Sequence, residues 1–116
     1  MEKILLFQCE NAQEIKQIAA ALKIKTVEIG TEFFRETIGA LEKGDAKQPG
    51  EAFTGTPPEG SLMVFCNVTG KHFDRVLAEL RKKQVMVSYK AVMTPTNKRW
   101  SVLRLYLELA REKKAY

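Results

Sequence analysis

Two short apolar runs constrain this chain more than any other feature. Ile4-Leu5-Leu6-Phe7 and Leu62-Met63-Val64-Phe65-Cys66 contain no polar residue, and their starts lie 58 residues apart, half the length of a 116-residue chain. Runs that short and continuous suit strands buried on both faces, the strands from which parallel sheets are built. Each run is followed by a residue able to cap a helix, Asn11 or Thr69. Apolar residues at helical spacing come next, Ile15, Ile18, Ala19 and Leu22 in one case and Phe73, Val76, Leu77 and Leu80 in the other. Glu14, three residues after Asn11, has the spacing of a capping box. A slide of 58 residues superposes the two patterns without a gap and also sets Val27 and Ile29 on Val85 and Val87.

The spacing predicts strands at 4–9, 25–29, 62–66 and 85–93, and helices at 11–23, 32–43, 70–83 and 98–114. Phe34, Ile38 and Leu41 mark the second helix, which Gly44 closes. Asn97 is the expected cap of the last. Between 44 and 61 lie four glycines and three prolines, too many for helix or strand. The chain is therefore expected to be one α/β domain, residues 1–116, with a flexible Gly/Pro-rich loop at 44–61. It reads as two βαβα halves around a four-stranded, mainly parallel sheet of order 2-1-3-4, with helices on both faces. The alternative is a ferredoxin-like α+β sandwich, which leaves one sheet face open.

Composition chiefly excludes. One histidine, His72, and two cysteines leave no framework for a His-based or four-cysteine metal site, and no disulfide scaffold. No cofactor or metal is expected. No apolar stretch reaches the roughly 18 residues of a membrane span. The first apolar run is cut off by Gln8, Cys9, Glu10 and Asn11, unlike a signal peptide, so a cytoplasmic, reducing location is expected. Residues 1–58 carry net charge −2 and residues 59–116 carry +7. Such a basic half suits anions or nucleic acid. Its cations are scattered, and no aromatic-interleaved motif accompanies them, so nucleic acid is the lesser expectation.

In an open parallel α/β sheet, ligands bind beyond the carboxyl ends of the strands, where the strand order reverses. That crevice would collect Gln8, Cys9, Glu10 and Asn11 from one half and Cys66, Asn67, Thr69 and Gly70 from the other. Cys66, ahead of a helix start, is the candidate nucleophile of a cysteine-dependent enzyme, with His72 as its base. Cys9 and Cys66, on adjacent strands, form a candidate redox pair. Thr69-Gly70-Lys71 resembles the tail of a phosphate loop, but Phe65 and His72 stand where that motif needs glycine and a hydroxyl. No GxGxxG, GxSxG or HExxH occurs. Thr94-Pro95-Thr96-Asn97-Lys98 gathers two hydroxyls, an amide and a cation, groups that suit phosphate or carboxylate.

Val64-Phe65-Cys66, Asp74-Arg75-Val76-Leu77, Tyr89 to Asn97 with Trp100, and Leu105-Tyr106-Leu107-Glu108-Leu109 together resemble a small uncharacterised bacterial family. That family is found chiefly in Firmicutes and is filed as a domain of unknown function. Its pattern runs FCG … LKAVLTPTNxxW … LYxEL, with a PIG segment that Thr37-Ile38-Gly39 resembles. Asn67 replaces the pattern's glycine, Met93 its leucine and Thr37 its proline. The resemblance implies a stand-alone cytosolic bacterial protein and assigns no activity.

With no complete catalytic motif, the leading expectation is a binding or regulatory module. Its ligand would be a small anion held by Thr94, Thr96, Asn97, Lys98, Asn67, Thr69, Gly70 and Cys66. The last helix adds a partner. Its apolar residues span roughly 220° at 100° per residue, more than one packed face covers. Either the helix at 32–43 or Phe53 packs on the excess, or a homodimer forms through Leu105, Tyr106 and Leu109.

Overall fold

The computed structural model describes residues 1–44 and 47–114; positions 45 and 46 of the Gly/Pro-rich loop lie outside the described residues. The chain divides into two compact units, Met1–Ile29 with Gly60–Val92, and Gly30–Glu59 with Met93–Tyr116.

The first unit holds the sheet. β1 (Lys3–Phe7) leads through α1 (Ala12–Ala21) to β2 (Lys25–Ile29), and β3 (Leu62–Cys66) leads through α3 (Gly70–Lys82) to β4 (Tyr89–Val92). The strand order is β2-β1-β3-β4, as the sequence predicts, and the fold is α/β. β1 and β2 are parallel, as are β3 and β4, but the central pair β1–β3 is antiparallel. The ferredoxin-like alternative drops out.

The antiparallel centre has a geometric basis. Ile4, Leu6, Met63 and Phe65 share one core with Ile15 and Ile18 of α1 and Val76 and Leu80 of α3, so both helices lie on the same sheet face. Right-handed crossovers that step outward in opposite directions put their helices on one face only when the starting strands run antiparallel. Every residue of β1 and β3 is buried, including Leu5, Phe7, Leu62 and Val64 on the opposite face. That burial explains why both runs are continuously apolar. Continuous apolarity reports burial, not strand direction.

The two βαβ arms correspond in detail. The residue after each central strand, Gln8 or Asn67, is left-handed, with φ 56° and 59°. Each helix ends in the same motif, in which Ile24 N–H donates to Ala19 O and Val85 N–H to Leu80 O, both at 2.9 Å. The left-handed residue of that motif is Lys23 in one arm and Gln84 in the other. α3 has 13 residues and α1 has 10, so the ungapped slide fails past the helix ends. The strand expected at 85–93 is accordingly confined to Tyr89–Val92. Val85 and Val87 instead pack into the helix-covered core. Tyr89 joins β3 where Ser61 and Ser88 exchange hydrogen bonds of 3.2 and 2.9 Å.

The second unit contains α2 (Ile38–Lys43), α4 (Val102–Lys114) and 3-10 turns at Thr31–Phe33 and Asn97–Arg99. The helix expected at 32–43 is interrupted because Thr37 is extended and caps α2, its hydroxyl accepting from Ala40 N–H at 3.2 Å. Gly44 ends α2 at φ 74°, a conformation glycine adopts without a Cβ clash. Residues 34–38 run beside 100–103, with Ile38 N–H donating to Trp100 O at 3.0 Å and Leu103 N–H to Phe34 O at 3.2 Å. α4 therefore starts at Val102, and its first turn is closed by the Ser101 hydroxyl, which accepts from Arg104 N–H at 3.1 Å, not by Asn97.

The wide apolar arc of α4 is largely used inside the chain. Leu105 and Tyr106 are each only 2% exposed, and the Tyr106 ring lies 5.9 Å from Phe34, which in turn stacks on Phe53 at 6.3 Å. The expected contact role of Leu105 and Tyr106 is corrected accordingly: they are core residues, and Leu109 is half-buried. Phe53 N–H donates to Glu32 O at 3.1 Å, so the Gly/Pro-rich segment is held at that point.

Candidate functional site at the start of α3

The antiparallel centre dismantles the expected crevice. Phe7 pairs with Leu62 and Lys3 with Cys66, so the carboxyl ends of β1 and β3 lie at opposite edges of the sheet. Cys9 and Cys66 are then on the order of 15–20 Å apart, at about 3.3 Å per residue, and form no redox pair. Cys66 is fully buried, and its Sγ lies 3.9 Å from Val64 O, the place of a small hydrophobe and not of an accessible nucleophile.

The anion-site residues read from sequence fall in different units. In the second unit, Thr94 N–H donates to Asn97 Oδ1 at 2.7 Å and Asn97 N–H donates to Thr94 Oγ1 at 3.0 Å. This reciprocal box closes the 3-10 turn and leaves the Thr94 hydroxyl and the Asn97 carbonyl oxygen committed to the backbone. Thr96 and Lys98 are exposed beside it. In the first unit, Thr69 caps α3, its Oγ1 accepting from His72 N–H at 3.2 Å. Gly70 opens the helix with open space around its Cα. Asn67 is exposed and left-handed, which supplies a reason for the glycine of the resembling pattern.

The first unit holds a pocket at the strand ends of the β1-α1-β2 arm and another between the end of α1 and the start of α3. The first, about 390 Å³, opens beyond the carboxyl ends of β1 and β2 and is lined by Leu6, Gln8, Cys9, Glu10, Glu28 and Ile29. Glu28 is paired with Lys16. The Cys9 thiol donates to Phe7 O and Leu62 O at 3.7 Å. Burial pushes its pKa above the ordinary 9.0, against those two hydrogen bonds. Asn11 leaves α1 uncapped, contrary to the sequence reading, because its amide donates to Met86 O at 3.2 Å. Two carboxylates and a neutral thiol make this pocket unsuited to an anion. No three of the described His, Cys, Asp and Glu residues could hold a metal ion together.

The second pocket, about 420 Å³, is lined by Leu22, Lys71, His72, Asp74 and Arg75. Lys71 and Arg75 are one helical turn apart and share a side of α3. The volume lies within the range of small-molecule sites. Beside it, Glu2 accepts the Thr69 N–H at 3.0 Å and meets His72 Nδ1 at 2.8 Å. The Thr69 N–H is the first cause holding the Glu2 carboxyl below its ordinary 4.5; the hydrogen bond and charge of His72 add to it and desolvation opposes it.

Of this cluster, Thr69, Gly70, Lys71 and His72 stand out in the sequence as site candidates, and Arg75 and Glu2 do not. Thr69 and Gly70 were legible as a helix start. The i, i+4 spacing of Lys71 and Arg75 was the available signal for the rest. Glu2 left none, since its partners are 67 and 70 residues away.

No helix among the described residues is long and apolar enough to cross a membrane. Residues 61–116 match the family model described as Domain of unknown function (DUF3783). No curated protein and no solved structure matches the chain.

Proposed function

We propose that the protein is a non-enzymatic binding module for a small anionic ligand, taken up at the first turn of α3. The observation that carries this is that Lys71, His72 and Arg75 all line one pocket of about 420 Å³. Two cations on one helical turn bind a phosphate or carboxylate with charge-assisted hydrogen bonds. Leu22 gives the ligand an apolar wall, and Asp74 tolerates a hydroxyl or amine beside the acidic group. The volume fits a phosphorylated or carboxylated metabolite with an apolar portion better than a bare ion.

Thr94, Thr96, Asn97 and Lys98 recede in this reading, since Thr94 and Asn97 already satisfy each other. The two free cysteines support a reducing compartment. A homodimer stays in the proposal only through Leu107, 52% exposed, and half-buried Leu109. Light scattering at high micromolar concentration that returned the monomer mass of 13.2 kDa would remove it.

The test of the ligand reading is a calorimetric titration with phosphorylated and carboxylated metabolites, using the natural chain and a Lys71→Glu, Arg75→Glu double variant. Millimolar or tighter binding that the double variant loses is the expected result. Binding equal in both chains, or absent from both, sinks the proposal.

A further inference from the structure

The cations of the second half are scattered along the sequence, but α3 lines three of them up in space. At about 100° per residue, Lys71, Arg75, Ala78 and Lys82 fall within roughly 60° of the helix circumference. Opposite them lie buried Val76 and Leu80 and half-buried Phe73 and Leu77, so this line is the outermost ridge of the helix, and all four of its residues are exposed. At a rise of about 1.5 Å per residue the ridge is roughly 16 Å long. Among the described residues, Lys71, Arg75 and Lys82 take part in no ion pair. Lys71 and Arg75 are instead a like-charge pair at i, i+4, an arrangement that costs the helix stability. Of the flanking charges, Asp74 and Glu79 are balanced by Arg81 and Lys83.

The other arm is an internal control. The slide of 58 residues sets Gln13, Gln17 and Ala20 of α1 on Lys71, Arg75 and Ala78, and all three are exposed, opposite buried Ile15 and Ile18. α1 keeps the same ridge without charge, so neither the helix nor its packing on the sheet requires cations there.

We propose that the ridge of α3 docks on the phosphate backbone of a nucleic-acid double helix, without reading its base sequence. A duplex strand carries one phosphate per about 3.4 Å of axis, so a ridge of roughly 16 Å can set each of its three cations against one. No aromatic residue stands on the ridge to stack on bases, as a single-strand site would need; Phe73 is packed edge-on to Phe65. An anionic membrane would call for apolar side chains beside the cations, and the apolar face of α3 is taken up by the core. The proposal goes beyond the small-ligand reading, because Lys82 stands roughly 10 Å along α3 from Arg75 and outside the pocket.

The experiment uses the full chain and fluorescently labelled duplexes of about 20 base pairs, one of DNA and one of RNA, with anisotropy read between about 50 and 200 mM salt. Three phosphate contacts give a log–log slope of about −2.7, so affinity for a bound duplex should fall roughly fortyfold across that range. Lys82→Gln should weaken binding at least about threefold at the lower salt and bring the slope to about −1.8. Lys43→Gln, an equal change of charge at an exposed position of α2, should leave the slope unchanged. This pattern with either duplex is the expected result, and the duplex that binds tells DNA from RNA. Absence of binding to both duplexes at the lower salt overturns the proposal. Equal losses in Lys82→Gln and Lys43→Gln overturn it as well, because they mark net charge alone. So does binding to phosphatidylserine vesicles in place of the duplexes. Phosphorylated metabolites that still bind in any of these cases leave the small-ligand reading standing.

Discussion

The two βαβ arms of the first unit share strand, left-handed turn, helix and Schellman end, yet the pockets beside them are lined by opposite charge. The β1-α1-β2 arm opens on Glu10, Glu28 and a half-buried thiol, while the β3-α3-β4 arm opens on Lys71, His72 and Arg75. The scaffold residues that correspond are apolar or left-handed, and most of the residues that differ are exposed. In this protein the fold is set by the buried pattern and the local charge of each arm by a handful of exposed positions that the fold leaves unconstrained.

The comparison is sharpest in the shared core. Phe65 is 1% exposed, packs edge-on to Phe73 at 4.8 Å and sits opposite fully buried Ile4. Phe65→Ala should cost about 3–5 kcal/mol and Ile4→Ala about 2–5 kcal/mol in urea unfolding. Both variants should unfold in one transition, since the two arms share one core. A separate transition for either arm would break the view that the arms are a single cooperative body.

The chemical contrast predicts an asymmetric response to charge. Reversing Lys71 and Arg75 together should weaken phosphate binding at least about tenfold, the worth of one or two charge-assisted hydrogen bonds. Glu10→Gln in the other arm should leave it unchanged. Both changes are at exposed positions and should shift stability by less than about 0.5 kcal/mol.

pH separates the arms in opposite senses. Glu2 has a depressed carboxyl, so its stabilising effect is fully present above its ordinary 4.5 and is lost as pH falls through the lower folded-state value. The melting midpoint of the natural chain should therefore fall more steeply below pH 4.5 than that of Glu2→Gln. Cys9 has a raised thiol pKa, so its contribution runs the other way. It is intact below the ordinary 9.0 and declines as pH rises past it, and alkylation of Cys9 should stay slow at pH 9. Fast labelling of Cys9 at pH 8 would contradict the burial seen here.

The smallest effect tests the correspondence itself. Lys23 and Gln84 sit at the same place in the two helix ends, with φ 59° and 56°. Lys23→Gly and Gln84→Gly should each stabilise the protein by about 0.5–1 kcal/mol, the left-handed penalty less the entropy glycine adds to the unfolded chain. Opposite signs at the two sites would show that the ends are alike in geometry only.

The sequence by itself determined which segments are strands and helices at the core, the strand order, the end of α2 at Gly44 and the start of α3 at Thr69. Each follows from local rules of burial period and capping that act over a few residues. Only the tertiary structure decided the direction of β3, because a run buried on both faces reads the same in either direction. That one choice separated Cys9 from Cys66 and removed the expected crevice. Tertiary structure also decided that Asn97 closes on Thr94 rather than capping α4, that Leu105 and Tyr106 are core, and that Glu2 reaches Thr69 and His72. The reason is common to all three. Hydrogen bonds and burial are settled by which partner arrives in space, and a partner distant in sequence leaves no periodic trace in it.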